Sequence, residues 1–396
     1  MRNQREVMIA GAARTAIGKF QKGLAKVPAP DLGATAIAAA LERSGVDGAH
    51  VDEVIMGNVV SAGLGQAPAR QASLKAGIPA QVGATTVNKV CGSSLKATVQ
   101  GTQAILLGDA EIIVAGGMEN MSAGPHLVPG VRSGHKAGNV ELVDATIYDG
   151  LWDTVEDWHM GNAAEFIARE FKISREAQDQ FALESHRRAV AAQGAGKFDA
   201  EIVPVMVPGE NGENLPFLKD EGPRPDTSLE ALAALKPAFE ENGSVTAGNA
   251  PPLNDGAAAV VLMSQEKAAE LDIAPLARIT GYAQAAVEPK WIFTAPVHAI
   301  HNLLDKTGYL LDDFDLLEVN EAFASQVLAN GQELEWDWEK LNVHGGAIAL
   351  GHPLGATGAR ILTTLLYAMK DRSASMGLAC LCLGGGEAVA LSVEVA

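Results

Sequence analysis

The first third of the chain alternates between strand-like and helix-like patterns of apolar positions. Residues 7–10 and 54–56 are short apolar runs, which are typical of buried strands. Between them an Ala/Leu/Ile-rich stretch predicts a helix with Asp31 as its N-cap and Gly45 at its end. Another apolar run at 111–115, bounded by a Gly-Gly pair, predicts a buried parallel strand. The alternation favours an α/β fold.

The pattern changes in the middle of the chain. A long charged stretch from Ser174, as N-cap, to near Gly194 predicts a helix, and Pro/Gly-rich loops surround it. We interpret this part as an insertion that carries binding loops. The predicted units are an N-terminal domain (1–119 and 253–275), a loop domain (120–252) and a C-terminal domain (276–396).

Two pairs of segments resemble each other at similar spacing. Residues 45–56, a helix end followed by a turn and an apolar run, resemble residues 308–319. Residues 114–119 resemble residues 382–387, where an apolar run also meets glycines. Repeated strand and helix units of this kind predict two domains related by a pseudo-twofold axis.

The overall composition excludes several classes of protein. The 396 residues include 30 Lys and Arg against 48 Asp and Glu, a net charge of −18, which argues against a nucleic-acid binder. Three cysteines do not make a disulfide framework, and no apolar run is long enough to span a membrane. The chain reaches a strand-like run by residue 7, which leaves no room for a signal peptide. We therefore expect a cytoplasmic protein of two or three packed units.

Cys91 stands where a strand is predicted to end and a helix to begin. The positive end of the helix dipole would lower the pKa of a thiol there and favour the nucleophilic thiolate. Gly92 would let a substrate approach the backbone, and the Cys91 amide would be free to bind an oxyanion. A lone cysteine is, however, more often a small buried hydrophobe.

Three other residues are candidates for the same chemistry. His352 has glycines near it and is followed by a proline. This setting suits an imidazole that contacts a ligand and a structural histidine about equally. Cys382 shares a strand face with Cys380 and lies nearer the glycine turn, where it suits an acid/base thiol; a metal site is weakly supported. Asn320 follows an apolar strand, and is either a functional polar group or part of a helix cap.

Taken together and in order, these segments resemble the active-site loops of the thiolase family. Supporting blocks extend the resemblance over essentially the whole chain, and the block around His159 and Met160 resembles the short-chain acetyl-CoA acetyltransferase branch. The resemblance implies the thiolase fold, with two βαβαβαββ domains and an inserted loop domain. The segments that carry it are 90–94, 320–323, 351–353 and 382–384, supported by 116–122, 158–161, 246–250 and 254–257.

The family resemblance implies a role for each candidate residue. Cys91 would take the acyl group as a thioester, and His352 would accept the thiol proton. Asn320 would hold a water that forms one oxyanion hole with His352, while the amides of Cys91 and Gly384 would form the other. Cys382 would remove the α-proton of a second acetyl-CoA, or protonate the leaving carbanion during cleavage. The implied activity is the reversible Claisen condensation of two acetyl-CoA to acetoacetyl-CoA and CoA.

The resemblance also implies how the substrate is held. Coenzyme A would be a substrate and product, with no separate cofactor and no metal. A homotetramer built from dimers is expected, with acetyl-CoA, acetoacetyl-CoA and CoA as the partners and neither nucleic acid nor membrane. The residues carried over as CoA contacts are Leu151, His159, Met160, Arg224, Leu235, Ala247, Ala322 and Phe323.

Two departures from the short-chain pattern leave the acyl-chain preference open. Pro251 and Pro252 stand where that branch has Ser-Gly, and the loop around Trp291 and Phe293 is bulky. The alternatives are a 3-ketoacyl-CoA thiolase for longer or branched chains and a non-catalytic thiolase-like scaffold. A β-ketoacyl synthase is disfavoured because such enzymes lack an acid/base cysteine like Cys382.

Overall fold

The computed structural model describes residues 5–209 and 212–396. Residues 1–4, on which the expected absence of a leader partly depends, lie outside the described residues. The strands are β1 Val7–Thr15, β2 Gly18–Lys19, β3 Glu53–Gly57, β4 Gly83–Val87, β5 Ile112–Asn120, β6 His126–Leu127, β7 Val143–Asp144, β8 Trp152–Asp153, β9 Trp158–His159, β10 Ile202–Val203, β11 Val205–Pro208, β12 Asn214–Phe217, β13 Asn254–Ser264, β14 Ala277–Ala286, β15 Leu316–Val319, β16 Met376–Leu383 and β17 Glu387–Val395. The α-helices are α1 Ala29–Ser44, α2 Pro68–Lys75, α3 Ser93–Leu107, α4 Ala145–Gly150, α5 Met160–Glu170, α6 Arg175–Gly194, α7 Leu229–Ala233, α8 Gln265–Glu270, α9 Ala295–Thr307, α10 Ala324–Leu334, α11 Ala347–Leu350 and α12 Thr357–Arg372.

The main sheet consists of two halves with the same strand pattern. In the first half β3 and β5 are parallel, and β13 and β1 follow as antiparallel neighbours. In the second half β15 and β16 are parallel, and β17 and β14 follow in the same way. The two sets of strands meet in a short antiparallel pairing of β1 with β14, through Met8 with Arg278 and Ile9 with Ala277. The predicted α/β fold with a repeated unit is therefore confirmed.

Helices α3 and α12 form the central layer between the two halves. Leu95 and Val99 of α3 and Leu362 and Leu365 of α12 belong to one buried cluster with strand residues of both halves. On the opposite faces, α1 packs on the first half and α9 on the second. Both faces of each set of strands are covered by helices. The strands are therefore apolar at successive positions, which is the pattern seen in the sequence.

Several predicted elements are confirmed and two boundaries are wrong. Gly45 caps α1 in the left-handed conformation, and the Ser174 side chain accepts a hydrogen bond from the Ala177 amide at the start of α6. Asp31 is not the N-cap of α1, because Pro28 takes that place and Asp31 lies in the first turn, where a carboxylate favours the helix dipole. The strand predicted at 111–115 runs through both glycines to Asn120, since β13 pairs with it along its whole length.

The middle of the chain folds into short strands and helices joined by long loops. Two of its helices, α5 and α6, pack against α10 of the second half. The domain boundaries at 119/120, 252/253 and 275/276 stay a prediction. No α-helix in residues 5–209 and 212–396 is both long and apolar enough to cross a membrane.

Candidate active site

One cavity of about 390 Å³ opens where the loop before α3 meets the turn before α12. Its walls are mainly apolar and come from both halves of the sheet and from the middle of the chain. It brings together four of the five predicted catalytic residues and seven of the eight predicted CoA contacts. The predicted residues that line it are Cys91, His352, Cys382, Gly384, Leu151, His159, Met160, Arg224, Ala247, Ala322 and Phe323.

Cys91 lies in a tight loop two residues before α3. Val90 has a positive φ of 45°, which is rare for a β-branched residue and marks local strain directly before the cysteine. The Ser93 hydroxyl holds the loop, since it accepts from the Lys89 amide at 2.9 Å and donates to the Val90 carbonyl at 2.6 Å. Gly92 is required by packing within the protein, because a Cβ there would lie 2.3 Å from Leu383 Cδ2.

The electrostatics of Cys91 differ from the sequence expectation. Burial raises the pKa of the thiol to about 12, although the backbone N–H groups of Cys91 and Gly384 act on the sulfur in the opposite direction. Desolvation therefore outweighs the helix N-terminus, and the predicted lowering of the pKa is wrong for the resting site. The same two amides are, however, the pair expected to bind an oxyanion, and they are directed at the sulfur that would carry the acyl group.

His352 is held from two sides in the turn before α12. Its backbone amide donates to the Asn254 side-chain oxygen at 2.9 Å, and its Nδ1 lies 2.7 Å from the Thr357 hydroxyl. That hydroxyl donates its single hydrogen to the Pro353 carbonyl at 2.9 Å, so it accepts from Nδ1–H. Burial lowers the pKa of His352 to about 3, aided by the nearby Arg360 charge. The imidazole is therefore neutral, and its Nε2 is left as a proton acceptor.

Direct contacts between α3 and α12 bring Cys91 and His352 together. The Ser94 hydroxyl accepts a hydrogen bond from the Ala359 amide at 2.9 Å. One residue away, a Cβ on Gly358 would lie 2.5 Å from the Leu95 backbone nitrogen, so only glycine permits this approach. The first turns of the two helices are thus in contact, and the loops that precede them face one cavity.

Cys382 and Gly384 reach the cavity from the end of β16. Cys382 packs in a buried cluster with Phe293, Phe323 and other apolar side chains, and burial raises the pKa of its thiol well above the ordinary value. Gly384 lies against Val90, because a Cβ on it would be 3.2 Å from Val90 Cγ1. Cys380 is part of the core instead, where its Sγ lies 3.9 Å from the Pro296 carbonyl oxygen. The two cysteines on this strand therefore have separate surroundings.

Asn320 does not line the cavity, whereas Ala322 and Phe323 shortly after it do. The residue is 1 % exposed, and neither atom of its amide has a hydrogen-bond partner in the part of the chain that the structure describes. Its backbone N–H is bonded to the Cys380 carbonyl at 3.0 Å, which fixes it at the end of β15 beside β16. Buried amides are normally paired, so an amide without protein partners fits the expected role of Asn320 in holding a water molecule.

The side chains expected to contact CoA form the outer part of the cavity. The His159 ring stacks on Phe239 with centroids 4.9 Å apart, and its Nδ1 accepts from the Gly161 amide. Burial lowers the pKa of His159, so the ring is neutral. Arg224 supplies positive charge at the cavity in a protein of net charge −18. Leu235 does not line the cavity; its side chain is exposed and lies beside Gly248, where a Cβ would be 2.5 Å from Leu235 Cδ1.

Sequence reasoning missed several residues that shape the cavity. Phe239, Met121 and Leu354 line it, and Thr357 orients His352 without lining it. A threonine five residues after the histidine could equally cap the following helix, so the spacing alone does not predict the contact. Trp291 does not line the cavity, whereas its neighbours Ile292 and Phe293 do. No cluster of three or more His, Cys, Asp or Glu that could hold a metal ion occurs in the described ranges.

The repeated α/β fold with two cysteines and a neutral histidine at one cavity defines a known class of protein. Residues 7–266 match the thiolase N-terminal domain, and residues 273–395 match the thiolase C-terminal domain. The chain belongs to the thiolase family.

Relatives of known name agree over nearly the full length. The chain is 57 % identical to the acetyl-CoA acetyltransferase of Cupriavidus necator over 389 residues, which cover 98 % of this chain and 99 % of that protein. It is 56 % identical to the acetyl-CoA acetyltransferase of Pseudomonas aeruginosa, with the same coverage of each chain. The crystal structure of the Bacillus anthracis acetyl-CoA acetyltransferase superposes with a TM-score of 0.97 at 43 % identity, covering 99 % of both chains.

Proposed function

We propose that the protein is an acetyl-CoA acetyltransferase, which condenses two acetyl-CoA reversibly to acetoacetyl-CoA and CoA. Relatives with this name at 57 % and 56 % identity support the activity. The observation that carries the proposal is the single cavity to which separate segments contribute Cys91, His352, Cys382 and Gly384. A small apolar cavity with one cationic side chain suits an acyl thioester whose anionic part lies outside.

In the first half-reaction Cys91 would attack the thioester carbon of acetyl-CoA. The neutral imidazole of His352 would take the thiol proton on Nε2 and deliver it to the departing CoA sulfur. The amides of Cys91 and Gly384 would bind the negative oxygen of the tetrahedral intermediate. The products are acetyl-Cys91 and free CoA. Because Cys91 and His352 are both neutral at rest, proton transfer would accompany attack instead of preceding it.

In the second half-reaction a second acetyl-CoA would become the nucleophile. Cys382 would remove a proton from its α-carbon, and the resulting enolate oxygen would be held by a water on Asn320 and, once its Nε2 carries a hydrogen, by His352. The α-carbon would attack acetyl-Cys91, forming the carbon–carbon bond and breaking the bond to the Cys91 sulfur. The proton that Cys382 took would return to that sulfur, so both thiols are restored. In the cleavage direction Cys382 would act as the acid, and its raised pKa suits that role.

The first experiment is a thiolysis assay. Purified protein is mixed with acetoacetyl-CoA and CoA, and the loss of the substrate's enolate absorbance is followed. Rapid loss that disappears in Cys91→Ala supports the proposal. No loss with folded wild-type protein would contradict it, and longer or branched 3-ketoacyl-CoA would then be tested as substrates. Inactivity on all of them would leave a non-catalytic scaffold.

The remaining expectations are proposals of the same kind. The protein would act as a homotetramer in the cytoplasm, with CoA as substrate and product and without a separate cofactor or metal. Size-exclusion chromatography with light scattering measures the assembly, and elemental analysis of active protein measures bound metal. A monomeric active form would contradict the first proposal, and a stoichiometric metal that activity requires would contradict the second.

A further inference from the structure

Glu119 is a buried carboxylate that joins two loops at the base of the candidate active site. It is 0 % exposed near the end of β5, and its two oxygens accept hydrogen bonds from four N–H groups. Oε1 accepts from the Asn58 side chain at 3.0 Å and from the Val60 amide at 3.1 Å. Oε2 accepts from the Val59 amide at 3.0 Å and from the Gly355 amide at 2.9 Å.

The turn that contains Gly355 packs on two paired strands of the first half. A Cβ on Gly57, at the end of β3, would lie 2.7 Å from the Gly355 carbonyl oxygen. A Cβ on Gly117 of β5 would lie 1.9 Å from the same atom. The turn therefore sits directly on the ends of β3 and β5, and Glu119 is the side chain that fastens it there.

The fastened segments carry the surroundings of both candidate catalytic groups. His352 lies three residues before Gly355 in the same turn. The Val59 amide is bound by Glu119, and Leu354 directly precedes Gly355, which is also bound by it. Val59 and Leu354 pack in one cluster against Cys91. Leu354 and Cys91 also line the cavity, whereas Glu119 does not. A single carboxylate thus connects the histidine turn with the wall around the cysteine.

We propose that Glu119 is a positioning residue of this site: its carboxylate fixes the His352 turn against the loop after β3 and so sets the geometry of the Cys91–His352 pair. It acts through these segments and does not touch the substrate. The inference rests on the proposed function, because the geometry matters for the reaction that the pair performs. Misplacement of a catalytic group by about 1 Å lowers turnover by roughly 100-fold.

The charge of Glu119 gives the proposal a second consequence. Four N–H donors occupy the acceptor positions of the carboxylate, which leaves little place for a proton. Burial raises the pKa of Glu119 to about 7, while the amides of Gly355, Val59 and Val60 oppose that rise. Its negative charge in turn contributes to the raised pKa of Cys91. Removing the charge therefore makes the thiol more acidic while it disturbs the geometry.

Glu119→Gln tests both consequences at pH 8. The amide keeps the shape but presents an NH₂ group to N–H donors, so bonds at one oxygen are lost. We expect kcat for thiolysis to fall by roughly 100-fold, with the KM for CoA changed less than about threefold because the CoA contacts are untouched. In parallel, iodoacetamide labelling of Cys91, identified by peptide mass, should shift to lower pH. Because loosening of the fold would also expose Cys91 and make it more reactive, the shift in labelling supports the proposal only in a variant whose circular dichroism and melting temperature match the wild type.

Two further variants keep the result interpretable. Ile113→Val changes the buried core of the same strand and should lower stability without lowering kcat. Glu119→Asp keeps the charge but is one methylene shorter, so it should lower kcat and leave the pH profile of Cys91 labelling unchanged. If the Gln variant does not fold, the kcat of the Asp variant tests the proposal. Near wild-type kcat in a folded Glu119 variant would overturn the proposal. Labelling needs no turnover, so it tests Glu119 even if the wild type fails the thiolysis assay.

Discussion

The imidazole Nδ1 of His352 lies 2.7 Å from the hydroxyl oxygen of Thr357. Because that hydroxyl donates to the Pro353 carbonyl at 2.9 Å, it accepts the Nδ1 hydrogen and selects the tautomer with a free Nε2. The same bond would stabilise the imidazolium that forms when His352 takes a proton. A buried threonine therefore orients the candidate base, as a third group does in other nucleophile–base pairs.

Thr357→Val should lower kcat/KM for thiolysis, since valine has the same shape and no hydroxyl. A hydrogen bond to a group that becomes charged is worth about 1.5–3 kcal/mol, which corresponds to roughly ten- to hundredfold in rate. Thr357→Ser keeps the hydroxyl and should retain most of the activity. Equal activity of the Val and Ser variants in the same assay would show that the contact does not matter.

Cys382→Ala should separate the two half-reactions. Acylation of Cys91 by acetyl-CoA would continue, while formation and cleavage of acetoacetyl-CoA would fall to the background, since the α-proton has no acceptor. Intact mass spectrometry detects the acetyl group on the protein, and the thiolysis assay measures the loss. Cys380→Ala is the matched control, because Cys380 is buried in the core and does not line the cavity. A Cys382→Ala variant with normal turnover would contradict the assignment.

Pro251→Ser should strengthen CoA binding. Pro251 and Pro252 line the cavity and offer neither a backbone N–H nor a hydroxyl to a ligand. A new hydrogen bond is worth about 0.5–1.5 kcal/mol, so the KM for CoA should fall roughly two- to tenfold with kcat little changed. Pro251→Ala restores the N–H without the hydroxyl. The same KM in both variants would mean that the hydroxyl makes no contact.

Phe293→Leu should widen the range of acyl chains. Phe293 lines the cavity, packs in the same cluster as Cys382 and contacts Phe323 with ring centroids 5.4 Å apart. A pocket of this kind discriminates between acyl chains that differ by one methylene by roughly 10–200-fold. Because leucine is smaller than phenylalanine, the ratio of kcat/KM for a six-carbon to that for a four-carbon 3-ketoacyl-CoA should rise. Trp291→Leu is the comparison, since Trp291 packs on Phe166 and does not line the cavity. An equal rise in both variants would place chain-length control elsewhere.

Stability should fall as pH rises, and Glu318 should account for part of the change. Burial raises the pKa of Glu318 to about 8, and Arg360 lies beside it with Nη1 3.8 Å from Oε2. The folded protein thus keeps a proton that the unfolded chain loses near pH 4.5, so this contribution to stability is present at low pH and lost as pH rises toward 8. Glu318→Gln should flatten the melting temperature between pH 5 and 8.5.

The control for this pH dependence is Glu270→Gln, which removes a surface carboxylate that pairs with Lys267. Its melting temperature should follow the wild-type pH dependence, because exposed ion pairs contribute little. Parallel curves for wild type and Glu318→Gln would contradict the raised pKa.

Local sequence patterns were sufficient for the elements and for most of the candidate site. Apolar runs between covering helices predicted the central strands, and Gly45 and Ser174 marked helix ends, because these signals depend on neighbouring residues alone. The order of the Cys91, Asn320, His352 and Cys382 segments pointed to the family. The sequence also contained the departure at Pro251, although its effect depends on the cavity.

Other properties were decided by contacts between distant parts of the chain. The pKa of Cys91 is raised by burial in the folded protein, so a local argument from the helix dipole had the wrong sign. The extent of β5 was set by pairing with β13, and the place of Leu235 by packing on Gly248. The bond from Gly355 to Glu119 joins residues 236 positions apart, beyond the reach of any local pattern. The sequence by itself determined the fold class, the family and the chemical groups, whereas tertiary packing decided their protonation, orientation and support.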